Sequence, residues 1–538
     1  MFRRLTSSAL ALTAMTAPAL ADVTPEQVWQ SWIDYYESVG YSVAEGSRDK
    51  AGSTLTVHDV LIAGGADTGR MSMKLPQVVL TDDGNGKVST VFAEELSVNL
   101  EGEEPEGSNY AIPMTVRIPG NRITTSGAPE DMTHEFDYPT IDLTTTTITT
   151  EGTQTPLPMN FALTNSTGTF HVVSGTPNKY DYAMNTEALT FNGDVTDDQD
   201  GKVKFAGSLD GLKSQGSMSA PGDFTNMEEE MDAALKAGLA MDGNFEAGAV
   251  NATFDYSGMD ENGQPSTGTG TYQGKGFDAA FSLSQDGMGY RVGSKAMDFS
   301  LTSPQIPFPV SYAIESGSMD LKLPVSQREE AQPFSFAYAL TGVTMAEDIW
   351  KMFDPQASLP RTPASLELDL SGLMKVTRDL FAMPEADETV PADDTDSATA
   401  EGVAPDAPAD DAQAEAETDA MDDEVAAEPS GFEPVEMRIN KFALDLLGAK
   451  ANATGELKAT DGGSLEAPIG QIHAEYEGVN TLVDTLGSIG LIPQDQMMGV
   501  RMMLAMFAKP VEGSTDKMAT DLEFKEGGAI FANGQQIK

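Results

Sequence analysis

The chain has no cysteine, only four histidines and three tryptophans, and 32 basic residues against 84 acidic ones. Without cysteine there is no disulfide, no thiolate nucleophile or ligand, and no lipid-modified cysteine at an export cleavage site. A secreted chain of 538 residues with no disulfide fits a bacterial exterior better than an animal one. His58, His134, His171 and His473 stand far apart, with no HExxH-like pair. A zinc site would need scattered His and acidic residues, so neither metal nor cofactor is expected. The shortage of bases leaves a formal net charge of −52. Such a surface repels nucleic acid and anionic headgroups, and no Lys/Arg cluster is present to displace counterions, so nucleic acid is not an expected partner. Long apolar runs are missing as well. None approaches the ~20 residues of a membrane-spanning helix, so no transmembrane helix is expected in the mature chain.

Catalytic signatures are equally scarce. There is no GxSxG, no Walker loop and no strand–GxGxxG–helix unit. Asp198, Asp200 and Gly201 look like the middle of a calcium loop, but Thr196 and Gly207 would then hold its first and last ligand positions. A hairpin turn explains them better. Paired carboxylates for glycoside chemistry are open to any chain with 84 acids, but aromatic sugar platforms are sparse. No catalytic residue is nominated, and the reading is of a protein that is not an enzyme.

What is present begins with an export leader. Arg3 and Arg4 precede an apolar core from Leu5 to Ala17, and Ala19 and Ala21 occupy the small-residue positions before Asp22. Residues 1–21 therefore read as a cleavable secretory signal and the protein as periplasmic. VTPEQVWQSWIDYYESVG follows. Thr24 and Gln27 make a capping-box pattern around Pro25, and Val28, Trp32, Tyr35, Tyr36 and Val39 fall on one helical face until Gly40.

From Tyr41 to about Leu373 the apolar period is two. Phe277, Ala279, Phe281 and Leu283 alternate with small or polar residues, as do Met319, Leu321 and Leu323, then Phe334, Phe336, Tyr338 and Leu340. That is the pattern of antiparallel strands with one wet face. DDGNGK, DQDGK, ENGQ and QDGMG supply turns between them. Helical interruptions are predicted over 225–241, 343–353 and 375–383. The fold class is mainly β: a long twisted antiparallel sheet, open as a groove or folded like a sandwich, with an N-terminal helix and a C-terminal helical hairpin. Residues 22–383 form the extended β domain.

Residues 384–434 break the pattern. Between Glu385 and Glu428 there are 17 acids, no base and no aromatic ring. Such a run cannot bury enough apolar surface to offset its ordering entropy, and reads as a disordered connector with no chemical role. Residues 435–538 resume strands and add the hairpin YEGVNTLVDTLGSIGLIPQDQMMGVRMMLAMFAKP. Met497, Val500, Leu504 and Phe507 make one stripe of its second helix, with Met498, Met502 and Met506 beside it at spacings of four. Met498, Met502, Met506 and Phe507 are the candidate surface for an apolar ligand or partner.

The opening helix running into VGYSVAEGSRDKAGSTLTVHDVLI, and the close DLEFKEGGAIFANGQQI, resemble the two ends of an uncharacterised family of secreted Gram-negative proteins, domain of unknown function 2125. More distantly the chain is similar to AsmA-like envelope proteins, and that resemblance implies curved sheets whose apolar grooves carry lipid. The cleavable leader and the acidic insertion depart from that pattern. Two functions stay open from the sequence. One is a non-enzymatic envelope protein that binds lipid or another amphipath in a β-groove, with the Met hairpin as its gate. The other is a structural or protein-interaction component with a dry core and no small ligand. An outer-membrane barrel fits less well, because the chain closes on Gln-Ile-Lys and lacks aromatic girdles.

Overall fold

The computed structural model describes residues 23–38, 40–66, 69–103, 108–196, 201–222, 227–260, 262–382, 431–460, 463, 465–514 and 516–538. The leader with Ala19, Ala21 and Asp22, and nearly all of the acidic run, lie outside the described residues.

Helix α1 (Pro25–Ser38) starts as its capping pattern requires. The Thr24 amide donates to Gln27 Oε1 at 2.9 Å, and the Gln27 amide donates back to Thr24 Oγ1 at 3.3 Å. Val28 and Trp29 are buried, and Trp32, Ile33 and Tyr36 pack against the same core.

Every strand pairing is antiparallel, and all described strands belong to one sheet rather than to the two layers of a sandwich. Strand Thr54–Ala66 carries the first edge, Tyr41–Ala44 and Ser47–Ala51, laid end to end along it. The last edge is Gln535–Gln536, which pairs with Ala529–Ala532. Among the described residues these two edges do not meet, so the sheet is open. About twenty rungs at roughly 4.8 Å give a contour of roughly 95 Å along the hydrogen-bonding direction.

Long strands alternate with split ones. Asp131–Thr150, Thr153–Val173, Asn178–Thr196 and Lys202–Ala220 are four consecutive full-length strands. Lys202–Ala220 then faces two shorter strands end to end, Ala240–Ala247 and Val250–Met259. This doubling persists until Gln332–Met345, which pairs with both Val310–Ile314 and Ser316–Leu323. Strand Phe432–Leu446 pairs directly with Ala364–Val376, so the sheet is continuous across the acidic run.

Some predicted elements move. Helix α2 is Met227–Lys236 only, because Gly238 takes φ +103° and Ala240 already starts a strand. Helix α3 is Glu347–Phe353; Val343 to Met345, assigned to it from sequence, belong to the preceding strand. Residues 375–383 do not form a helix over their described part. Lys375 and Val376 end a strand, and the segment turns where Gln327 holds it, with its amide on Asp379 Oδ1 and its side chain on the Thr377 carbonyl. The connector is also shorter than composition implied: Phe432, Glu433 and Pro434 are strand, with Phe432 opposite Val376. The hairpin consists of α4 (Val479–Ser488) and α5 (Gln494–Phe507). DQDGK lies largely outside the described residues, but Thr196 and Lys202 on either side of it are paired antiparallel, as in a hairpin.

An uncharged apolar groove

Directly opposed residues in an antiparallel sheet project to the same face, so the register can be read across the strands. One line runs Phe136, Gly168, Met184, Ser214, Phe245, Ala279, Val292, Met319, Tyr338, Leu368, Phe442, Ala453, Ala474 and Thr520. A neighbouring line on the same face includes Phe170, Tyr182, Phe281, Tyr290, Leu321, Phe336, Leu370, Ile439, Ile472 and Leu522. Neither contains an Asp, Glu, Lys or Arg. The intervening line faces the other way and reads Glu135, Thr169, Ala183, Gln215, Asn244, Ala280, Arg291, Asp320, Ala337, Asp369 and Lys441.

The apolar face is the concave one. Helix α1 packs on the first strands, yet its rings also reach strands several rungs away. Trp32 lies 4.7 Å from the ring of His134, and Tyr35 lies 5.1 Å from Phe170 and 5.7 Å from Tyr180. One helix touches all of these only if the sheet curls around it, so α1 plugs one end of a trough. Helix α2 covers a second patch, where Leu235 and Leu239 pack with Leu283 and Val325. Beyond these covers the floor is open: Tyr182 is 42 % exposed, Phe281 38 % and Tyr290 40 %.

Past Asn165 and Gly211, both left-handed, the in–out alternation of their strands shifts by one residue, and several floor positions there are glycine opposite an aromatic ring. Phe191 faces Gly207 and Phe205 faces Gly193, and each ring lies over the partner glycine. Phe254 covers Gly270 in the same way. Flat rings keep the floor low and leave the trough unfilled.

A buried histidine lies on this face at the plugged end. Thr125 Oγ1 and His134 Nδ1 lie 2.7 Å apart, and both residues are buried. Burial, helped by the charge of His171, lowers His134 to about 4, so it is neutral near pH 7. The other histidines carry carboxylate partners and point away: His171 to Asp131 at 2.7 Å and His473 to Asp521 at 2.6 Å. Among the described residues no group of three or more His, Asp or Glu is placed to hold a metal ion.

The sequence-nominated residues lie at the opposite end. Val483 of α4 is buried, Asn480 reaches Met518, and Thr520 Oγ1 donates to the Phe507 carbonyl at 2.7 Å. Thr520 stands on the apolar face, so the hairpin sits on the groove side at a rim. Met497, Val500 and Leu504 are half-buried, whereas Met498 (73 %), Met502 (64 %), Met506 (51 %) and Phe507 (37 %) are exposed. The structure thus groups the four nominated residues on one helix and leaves them exposed, while Met497 packs against Gly487 of α4. The floor glycines were missed from the sequence, and the opening helix was expected to cap the sheet but not to reach strands several rungs away; glycines at apolar register positions, as in TGTGTY (267–272), were the available sign.

The fold defines an open, antiparallel β-groove protein with helices at its ends and rims. Among the described residues no helix is long and apolar enough to cross a membrane. A family model described as an uncharacterised protein conserved in bacteria, DUF2125, matches residues 262–532, and the chain belongs to that family. The match spans the central strands and the hairpin, and it leaves the opening helix, on which the sequence resemblance partly rested, outside. No curated protein matches the chain.

Proposed function

We propose that this chain is a non-enzymatic protein of the bacterial periplasm that holds the acyl chains of a phospholipid, or of a similar amphipath, in its groove. The observation that carries this reading is the charge-free floor. In a chain with 84 acidic and 32 basic residues, the two register lines above cross the sheet without one ionisable carboxylate, ammonium or guanidinium. Large exposed apolar patches mark binding surfaces, since leaving them wet costs roughly 25 cal/mol per Å². A charged headgroup would stay at the mouth, because nothing on the floor offsets its desolvation. The leader pattern at residues 1–21 supports export, and the AsmA-like resemblance points to the same ligand class.

The test is native mass spectrometry of the mature protein, purified from a bacterial periplasm without detergent and followed by solvent extraction. Reproducible phospholipid, absent from a control protein purified alongside, is the expected result. A clean apo mass, with no uptake of a fluorescent phospholipid, would overturn the reading and leave a structural or protein-interaction role.

A further inference from the structure

The outward face of α5 is a second apolar surface, separate from the groove floor. Met498, Met502, Met503 and Met506 lie on it, each at least half exposed. The hairpin that carries it is also nearly free of charge. From Val479 to Ala508 the ionised side chains are Asp484, Asp495 and Arg501, and Asp484 pairs with Arg501. One uncompensated carboxylate in this stretch contrasts with the net charge of −52 on the whole chain.

We infer that this face docks the protein on a lipid bilayer poor in anionic headgroups, with α5 lying in the interface. Charge argues for a bilayer over a second copy. Two copies would each bring the same strong negative charge within a Debye length of ~8–10 Å, for the sake of a small methionine patch. Zwitterionic headgroups bring no such opposition. Methionine is unbranched and polarisable, so it adapts to a disordered acyl layer better than to one fixed partner surface, and a helix that buries its apolar face in the headgroup boundary is the standard interfacial arrangement. The site has no basic cluster, so binding should be driven by apolar burial and weakened by anionic lipid. Its place at the groove rim puts the bilayer beside the mouth of the trough; that part of the inference rests on the groove reading, whereas the docking itself does not.

The experiment is flotation of the mature chain with phosphatidylcholine vesicles, and with vesicles containing phosphatidylglycerol. Wild-type protein should float with the neutral vesicles and less with the anionic ones, the deficit shrinking as salt is raised. The double substitution M502D/M506D should lower vesicle partitioning at least tenfold. Both side chains are exposed, so an unchanged Tm verifies folding. Bound lipid is measured on the same samples by native mass spectrometry. An apo mass with intact flotation would remove the groove reading and support the docking. Wild type that stays with neither vesicle, or a folded variant that floats as well as wild type, would overturn the docking. So would a dimer in light scattering that the double substitution dissolves, since the face would then belong to a second copy.

Discussion

At the scale of single residues, two buried polar side chains matter to stability, one because it stays neutral and the other because it stays charged. His134 is neutral in the fold because burial lowers it to about 4, whereas the unfolded chain titrates it near 6.5. Between those values the unfolded state binds a proton that the native state refuses, so stability falls as pH falls through this window, by roughly 3 kcal/mol in all. His171 and His473 act with the other sign. Hydrogen bonds to Asp131 and Asp521 raise them, so their contribution is present in acid and lost as pH rises through the folded values. Both are exposed enough for solvent to screen most of that effect. Urea unfolding at pH 7 and at pH 4.5 should therefore show a net loss in acid, and H134Q should flatten it. An equal slope in the variant would mean that another group carries the dependence.

Asp354, beside α3, is the second case. Burial pushes its carboxyl up, but the guanidinium of Arg361 at 2.6 Å and the amides of Leu359 and Ser358 outweigh that and hold it down to about 2. Arg361 also stacks on Trp350, 4.4 Å above the ring, so one carboxylate ties the loop to the helix. D354N is expected to lower Tm by a few degrees at pH 7, with a smaller difference from wild type below pH 2, where the native carboxylate is itself protonated. An unchanged Tm at pH 7 would show that the amide replaces the ion pair without loss.

At the scale of elements, the floor of the groove rests on paired strands whose rings lie on glycines. A Cβ built on Gly193 would sit 2.5 Å from Phe205 Cζ, and one on Gly270 would strike the ring of Phe254. The obstructing atoms are ring tips, which can lift. G193V with G270V should thus preserve the sheet at a cost of about 1–3 kcal/mol, as overpacking generally does, while tilting two rings into the trough. Uptake of a fluorescent phospholipid by the folded variant should fall several-fold; undiminished uptake would place the ligand elsewhere. Alternation makes strands such as the one carrying Phe334, Phe336, Tyr338 and Leu340 legible in the sequence, because side-chain period two is a local property. TPEQ likewise announced the start of α1. The register that aligns Phe136 with Phe442 is set by pairings between residues far apart in the chain, and so is the curl that brings Trp32 to His134; no local pattern carries either. The methionines of α5 were visible as an apolar girth, but whether another element covers them depends on where the hairpin docks. That it docks through Val483 and leaves Met498 outside is a tertiary fact.

At the scale of the whole molecule, the acidic run separates two strands that are neighbours in the sheet. Val376 stands opposite Phe432, and the Thr377 amide donates to the Gly431 carbonyl at 3.0 Å. The chain therefore leaves and re-enters the sheet at adjacent points, and a short turn would close the same gap. Replacing residues 383–430 with a six-residue Gly/Ser turn removes 17 carboxylates and nothing that the described strands pair with. Shortening the closed loop should stabilise the fold by ~1 kcal/mol, since closure entropy varies only with the logarithm of length. If the run is a connector, the variant keeps its Tm or gains slightly, and its phospholipid content matches wild type. A folded variant that lost its lipid would instead give the run a part in loading or retaining it, for a groove whose floor has no charge of its own to steer a headgroup. A variant that failed to fold would mean that the two halves of the sheet need this length of chain to find each other, although they end side by side. The register across Ala364–Val376 and Phe432–Leu446 favours the first outcome, because twelve paired positions, from Ser365↔Asp445 to Val376↔Phe432, are formed without the run.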